Sequence, residues 1–165
     1  MTMDVARRAP ASGARFAVQL STTAIMTMGG AAVPPVSIAL VAGEVRGLML
    51  QAPEQGLLIA RRVSGFDAAG ERHVDIDGES IGVGALAARR AGLVVWGDVP
   101  GPLERDVPPV PLRVLVIAAD GLRGGAGGAA LWRDIRSRTA GGAAVLFLSA
   151  DVSVVLDRCD SISEL

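Results

Sequence analysis

VLVI at 114–117, GLRGGAGG at 121–128, AALWRDIRSR at 129–138, AAVLFL at 143–148 and DVSVVLDRC at 151–159 are the segments that decide the fold. Val114–Ile117 and Ala143–Leu148 are short, unbroken apolar runs, the pattern of strands covered on both faces. Between them, Ala129–Arg138 places Leu131, Trp132 and Ile135 on one helical face and Arg133, Arg136 and Arg138 on the other. Asp151 is a helix cap, and behind it Val152, Val155, Leu156 and Cys159 recur at i, i+3, i+4 and i+7. Strand, helix, strand, helix with continuous apolar strands predicts a parallel sheet covered by helices.

Toward the N-terminus the same alternation continues. Leu93–Trp96 is a strand preceded by a short helix, Leu86–Ala91, that Gly92 stops. Gly97–Val110 holds four prolines, at 100, 102, 108 and 109, and is therefore a loop. His73–Ile76 is a strand closed by the hairpin turn Asp77-Gly78, after a Gly65–Gly70 turn. Val45–Leu50 is a buried strand that feeds a helix over Gln55–Val63, with Ile59, Arg62 and Val63 at helical spacing. Phe16–Ile25 and Val36–Val41 are two further strands. Residues 1–14 are polar, rich in Ala, Arg and Pro, and read as a disordered tail ahead of one domain over 15–165. The uncharged stretch Phe16–Ala42 invites a membrane or signal reading, but Gln19, Ser21-Thr22-Thr23, Gly29-Gly30 and Pro34-Pro35 punctuate it. Two strands and a turn fit it better.

The 165 residues suffice for one core, and half of them are apolar. Only five are aromatic (Phe16, Phe66, Phe147, Trp96 and Trp132), so alanine, glycine and valine must do most of the packing. A formal net charge of −1 argues against a nucleic-acid partner, which calls for a clustered basic face. All 16 basic residues are arginine. Without lysine the chain has no Schiff base, no lysine general base and no P-loop lysine. One cysteine and one histidine exclude an internal disulfide and a Cys/His zinc site.

Gly43-Glu44-Val45, followed in gapless register to Gly65, resembles the opening of an ABC-transporter-type ATPase domain, where a Gly-Glu turn introduces the P-loop strand. Gly70-Glu71 through Val74-Asp75-Ile76-Asp77-Gly78-Glu79 resembles a hairpin of that family, and Arg89–Val95 its strand into the Q-loop. Pro111–Ile117 resembles the Walker B strand, Gly141–Ser149 the strand before the switch histidine, and Ser149-Ala150-Asp151 through Cys159-Asp160 the segment that follows. The series spans about residues 16–165, and its order and spacing carry the resemblance. Sugar and nucleoside importer ATPase domains are the nearest in pattern. The resemblance implies an α/β fold: a mainly parallel sheet flanked by helices, with an antiparallel β portion.

The departures decide the expected activity. A P-loop needs glycines whose N–H groups wrap the phosphates, a lysine, and a hydroxyl for magnesium. In register, those places hold Leu50, Pro53, Gln55, Gly56 and Leu57. The Q-loop glutamine falls at or beside Trp96, the Walker B aspartate and catalytic glutamate on Ala118 and Ala119, and the switch histidine on Ala150. The helical subdomain with the signature motif is replaced by the 97–110 loop. Phosphate cradle, metal ligand and water activation are thus all missing from the pattern. The expectation is a cytoplasmic pseudo-ATPase module without catalytic residues, cofactor or metal. It would work with a protein partner or a second copy of itself, meet a membrane only through a transporter partner, and use Trp96 as an interaction anchor. The alternatives are a binding module keeping weak nucleotide or anion affinity, or an accessory subunit of an unrelated enzyme.

Other residues that could carry chemistry read more simply. His73 is expected to be a solvated residue on an edge strand, and Cys159 a packed thiol. Glu71, Asp75, Asp77 and Glu79 read as solvated turn carboxylates rather than a cation site. Gly121–Gly128 reads as a flexible connector rather than a phosphate loop.

Overall fold

The computed structural model describes residues 5–6, 16–28, 33–65, 72–82, 84–97, 111–122 and 124–165. Its main sheet combines β1 (Val5–Ala6), β4 (Val45–Met49), β7 (Leu93–Trp96), β8 (Val114–Ala118), β9 (Ala144–Ser149) and β10 (Ser161–Glu164) in the order β1-β10-β4-β9-β8-β7. All neighbours are parallel except β1, which pairs antiparallel at one edge. A second, antiparallel sheet has the order β3-β2-β5-β6, built from β2 (Ala17–Thr22), β3 (Val36–Val41), β5 (Arg72–Ile76) and β6 (Glu79–Ser80). The α/β architecture read from the sequence is the one observed.

β8 and β9 are buried along their whole length because each face of the pleat meets a different layer. Val114, Val116, Leu146 and Leu148 join the cluster that contains Ile59 and Val63 of α1 (Glu54–Val63) and Leu20 and Leu40 of the antiparallel sheet. Leu115, Ile117, Val145 and Phe147 join the opposite cluster with Trp132 and Ile135 of α3 (Ala129–Ala140) and Val155 of α4 (Val152–Arg158). Each fully buried Leu, Ile or Val contributes about 1.5–3 kcal/mol over its exposed state. The short α2 (Ala85–Arg90) lies against β7. Because α1 touches β8, β2 and β5, it is packed between the two sheets, so even Arg62 is only 3 % exposed.

The structure corrects several details. Only Val155 and Cys159 of the predicted apolar stripe on the last helix are buried; Val152 and Leu156 are exposed. The cause is a close approach of the helix end to β4: a Cβ on Gly47 would stand 2.8 Å from both Cys159 Sγ and Val155 Cγ1. Arg136, read as facing outward, turns toward Asp160: its Nη1 lies 3.2 Å from an Asp160 carboxylate oxygen, and its Nη2 donates to the Arg158 carbonyl. Asp160, 8 % exposed at its side chain, also accepts from the Val45 N–H at 2.9 Å and so holds the start of β10 beside β4. β10 itself was not expected, since Ser-Ile-Ser-Glu has no apolar run. The first predicted strand is shorter than Phe16–Ile25, with Ile25 forming a separate bridge to Val33. Within the stretch read as a disordered tail, Val5–Ala6 forms β1; the rest of 1–14 lies outside the described residues. Residues 98–110 also lie outside them, and with them the expectation that a loop replaces a helical subdomain.

Candidate functional site

Parallel strands deliver their carboxyl ends to one edge, and the residues of the P-loop, Q-loop, Walker B and switch register meet there. At the end of β4, Leu50 N–H donates to the Ser149 carbonyl at 3.0 Å, joining this loop to the end of β9. The chain then turns through Gln51, Ala52 and Pro53 into α1. Pro53 occupies the cap position with φ −58° and makes no side-chain cap. Gln55 instead folds back over the loop ahead of the cap, its Oε1 accepting from Gln51 N–H at 2.9 Å and Ala52 N–H at 3.1 Å. Gln55 is 6 % exposed. Gly56, in the lysine's place, is also buried, and a Cβ there would stand 3.1 Å from Leu50 Cδ1 and 3.6 Å from Leu148 Cβ. Leu50 and Leu148 therefore fill the space over this first helical turn.

At the ends of β8 and β9 the register positions are methyl groups. Ala118 and Ala119 are buried, and Ala150 packs partly buried beside the α1 cluster. One carboxylate stands between them that the sequence reading did not single out. Asp120 accepts from Ser149 Oγ at 2.6 Å and from Ala150 N–H at 2.8 Å. Ser149 Oγ in turn accepts from Asp151 N–H at 3.0 Å. Asp151 caps α4 as expected, its Oδ1 accepting from Val154 N–H at 3.3 Å and Ser153 Oγ at 2.8 Å. Those bonds, with the Ser153 hydroxyl first, hold the Asp151 carboxyl below the usual carboxylate range. The available signal for Asp120 was an acid closing a buried strand, with a serine closing the strand beside it. Only the β8–β9 register makes those two residues neighbours.

Trp96 ends β7 opposite Ile117 and is half-buried, with the Arg138 guanidinium 5.9 Å from its ring centroid. Gly97 turns next to it, where a Cβ would stand 3.1 Å from Ala118 Cβ. The tryptophan thus borders the same edge, partly covered by an arginine of α3.

The remaining candidates lie elsewhere. His73 is exposed as expected, but β5 is not an edge strand, since it pairs with β2 on one side and β6 on the other; His73 Nε2 lies 2.8 Å from Asp75 Oδ2. The other Asp75 oxygen accepts from Ser80 Oγ at 2.5 Å, so the acid stands between serine and histidine. A nucleophile needs the histidine in the middle to take its proton, and this order cannot provide that. The Ser80 hydroxyl, followed by the His73 ring, holds the Asp75 carboxyl below its usual range. Asp77 is an exposed turn residue, Glu79 is exposed at the start of β6, and Glu71 lies outside the described residues. Among the described residues no group of three His, Cys, Asp or Glu side chains could hold a metal ion. Cys159 is a buried thiol. In the glycine-rich stretch after β8, Ala126 is buried and its carbonyl accepts from Trp132 Nε1 at 2.8 Å. Among the described residues no helix is long and apolar enough to cross a membrane.

No protein-family model matches the sequence, and no curated protein matches it. Solved structures do. A nucleotide-free ATP-binding cassette from an ABC transporter superposes with a TM-score of 0.66 at 14 % identity, over 90 % of this chain and 87 % of that one. An ATP-binding cassette of an ABC transporter in its ADP conformation gives 0.66 at 14 % identity, over 91 % and 87 %. An ATP-binding subunit of an ABC transporter gives 0.60 at 15 %, over 89 % and 85 %. At such identities the likeness is one of fold, and the fold is that of ABC-transporter ATP-binding cassettes.

Proposed function

We propose that this chain is a non-catalytic ABC-ATPase-like module, a structural or regulatory subunit of a larger, transport-related complex in the cytoplasm. The observation that carries the reading is the closed carboxyl edge of the sheet. ATP hydrolysis calls for a cation on the phosphates, a carboxylate for the metal and a group that orients water. Here the register positions are Leu50, Gly56, Ala118, Ala119 and Ala150, and Asp120 is engaged in holding Ser149 and Ala150. A fold of this kind keeps packing surfaces that are physically separate from its chemistry, so they remain usable without it.

Retained anion or nucleotide binding is the less supported alternative, because Gln55 already occupies the N–H donors at the end of β4. Two measurements test the proposal. Titration calorimetry should detect no Mg-ATP binding tighter than about millimolar; micromolar binding would overturn the reading. Sedimentation at micromolar concentration should reveal a homodimer, or a stable complex with a co-purified partner, and Trp96→Asp should weaken it. A strictly monomeric protein with no partner from its native host would defeat the assembly half of the proposal.

A further inference from the structure

We infer that the Glu54–Gln55 pair is a built-in stand-in for an anion, which closes the loop after β4 to ligands by using the loop's own side chains. A helix start leaves unpaired N–H groups and a partial positive charge, and both draw an anion to it. In this loop both demands are met internally. The first helical N–H groups are already turned inward, Gln55 N–H donating to the Ala52 carbonyl at 3.2 Å and Gly56 N–H to the Pro53 carbonyl at 3.3 Å. Gln55 Oε1 takes the two N–H groups just before the cap, Gln51 at 2.9 Å and Ala52 at 3.1 Å. The next residue, Pro53, has no N–H to offer. Glu54, exposed in the first turn of α1, supplies the negative charge at the helix end and repels any other. Gln55 is 6 % exposed, so its carboxamide is packed in place, and turning its oxygen away would leave the Gln51 and Ala52 N–H groups without their acceptor. An incoming phosphate would have to displace a buried acceptor and shed its own hydration to gain bonds that already exist.

This deepens the reading of the edge as non-catalytic and rests on it only for the loop's place in the fold. Its test reads two amides rather than assembly or nucleotide, so the two ideas fail separately. Backbone amide exchange and nitrogen–proton correlation spectra of the whole chain should find the Gln51 and Ala52 amides protected. Inorganic phosphate should leave them unmoved. Gln55→Met keeps the bulk without the acceptor and should speed exchange at both amides by about five- to tenfold, the loss of about one hydrogen bond. Gln55→Glu keeps an acceptor and should restore protection. If Gln55→Met folds poorly, Gln55→Glu still decides, because a role in packing alone predicts no protection from a charged replacement. Protection unchanged in Gln55→Met, or Gln51 and Ala52 resonances that shift with phosphate in the natural chain, would overturn the inference.

Discussion

Two loops leave the same edge of the parallel sheet and use glycine in opposite ways. The loop after β4 stands in the P-loop register, yet its one glycine, Gly56, is buried under Leu50 and its donors are taken by Gln55. The stretch after β8 has five glycines in eight residues. Three of them, Gly121, Gly124 and Gly125, have no heavy atom within 4 Å of where a Cβ would stand. Gly124 and Gly125 also have φ of +82° and +70°, in the left-handed region. Glycine count therefore does not mark a phosphate cradle. What matters is whether the N–H groups converge on an empty point, and in the loop with the right register they converge on a carboxamide.

The sharpest way to break this contrast is to cut what anchors the glycine-rich stretch. Trp132 is 3 % exposed, packs its ring tilted at 45° with its centroid 4.8 Å from that of Phe147, and donates to the Ala126 carbonyl. Trp132→Ala should cost about 3–5 kcal/mol through cavity formation. Thermal unfolding should then begin roughly 10 °C lower. Trp132→Phe separates the hydrogen bond from the packing and should cost only part of that. A Trp132→Ala protein melting within a degree or two of the parent would mean that the stretch is held by other contacts.

Next comes the clasp that ties the end of β8 to the end of β9 and, through the Ser149 carbonyl, to Leu50. Asp120→Ala removes the acceptor of Ser149 Oγ and Ala150 N–H and should cost about 1–3 kcal/mol. Faster amide exchange should appear at Ala150 and at Leu50, whose N–H donates to the Ser149 carbonyl. Disturbance confined to residues 149–151 would show that the loop after β4 is independent of the clasp.

A smaller effect is expected from Gly124→Ala. Open space means no clash, so only the positive φ opposes the methyl group, at about 1 kcal/mol. A stabilised Gly124→Ala protein would place this residue outside the left-handed region.

The smallest expected effect is a pH dependence at the cap of α4. The Asp151 carboxyl is held below its ordinary value of 3.8 by Ser153 Oγ and Val154 N–H. The unfolded chain therefore binds the proton more readily, so this stabilisation is complete above the ordinary value and is lost as pH falls through the lowered one. Asp151→Ala should flatten the acid limb of a stability profile below about pH 4 and lower the melting point at neutral pH. An unchanged acid limb would assign that limb to other carboxylates.

The sequence by itself determined the layers of this protein. Unbroken apolar runs at 114–117 and 143–148, helical spacing at 129–138 and an aspartate before 152 are local signals, each produced by the covering its own segment needs. The register against the ABC-type pattern also puts Leu50, Gln55, Ala118, Ala119 and Ala150 at one edge. Tertiary structure decided the rest, because the remaining contacts link residues far apart in the chain. β10 forms by pairing with β4, and the bond from Val45 N–H to Asp160, 115 positions away, fixes where that pairing starts. The exposure of Val152 and Leu156 follows from where Gly47 lets α4 approach. Asp120 becomes a clasp only through pairing of β8 with β9, and Gln55 an acceptor only once the loop folds its oxygen back onto Gln51 and Ala52. Pattern tells which side chains must be covered; only packing tells which buried polar atom answers which.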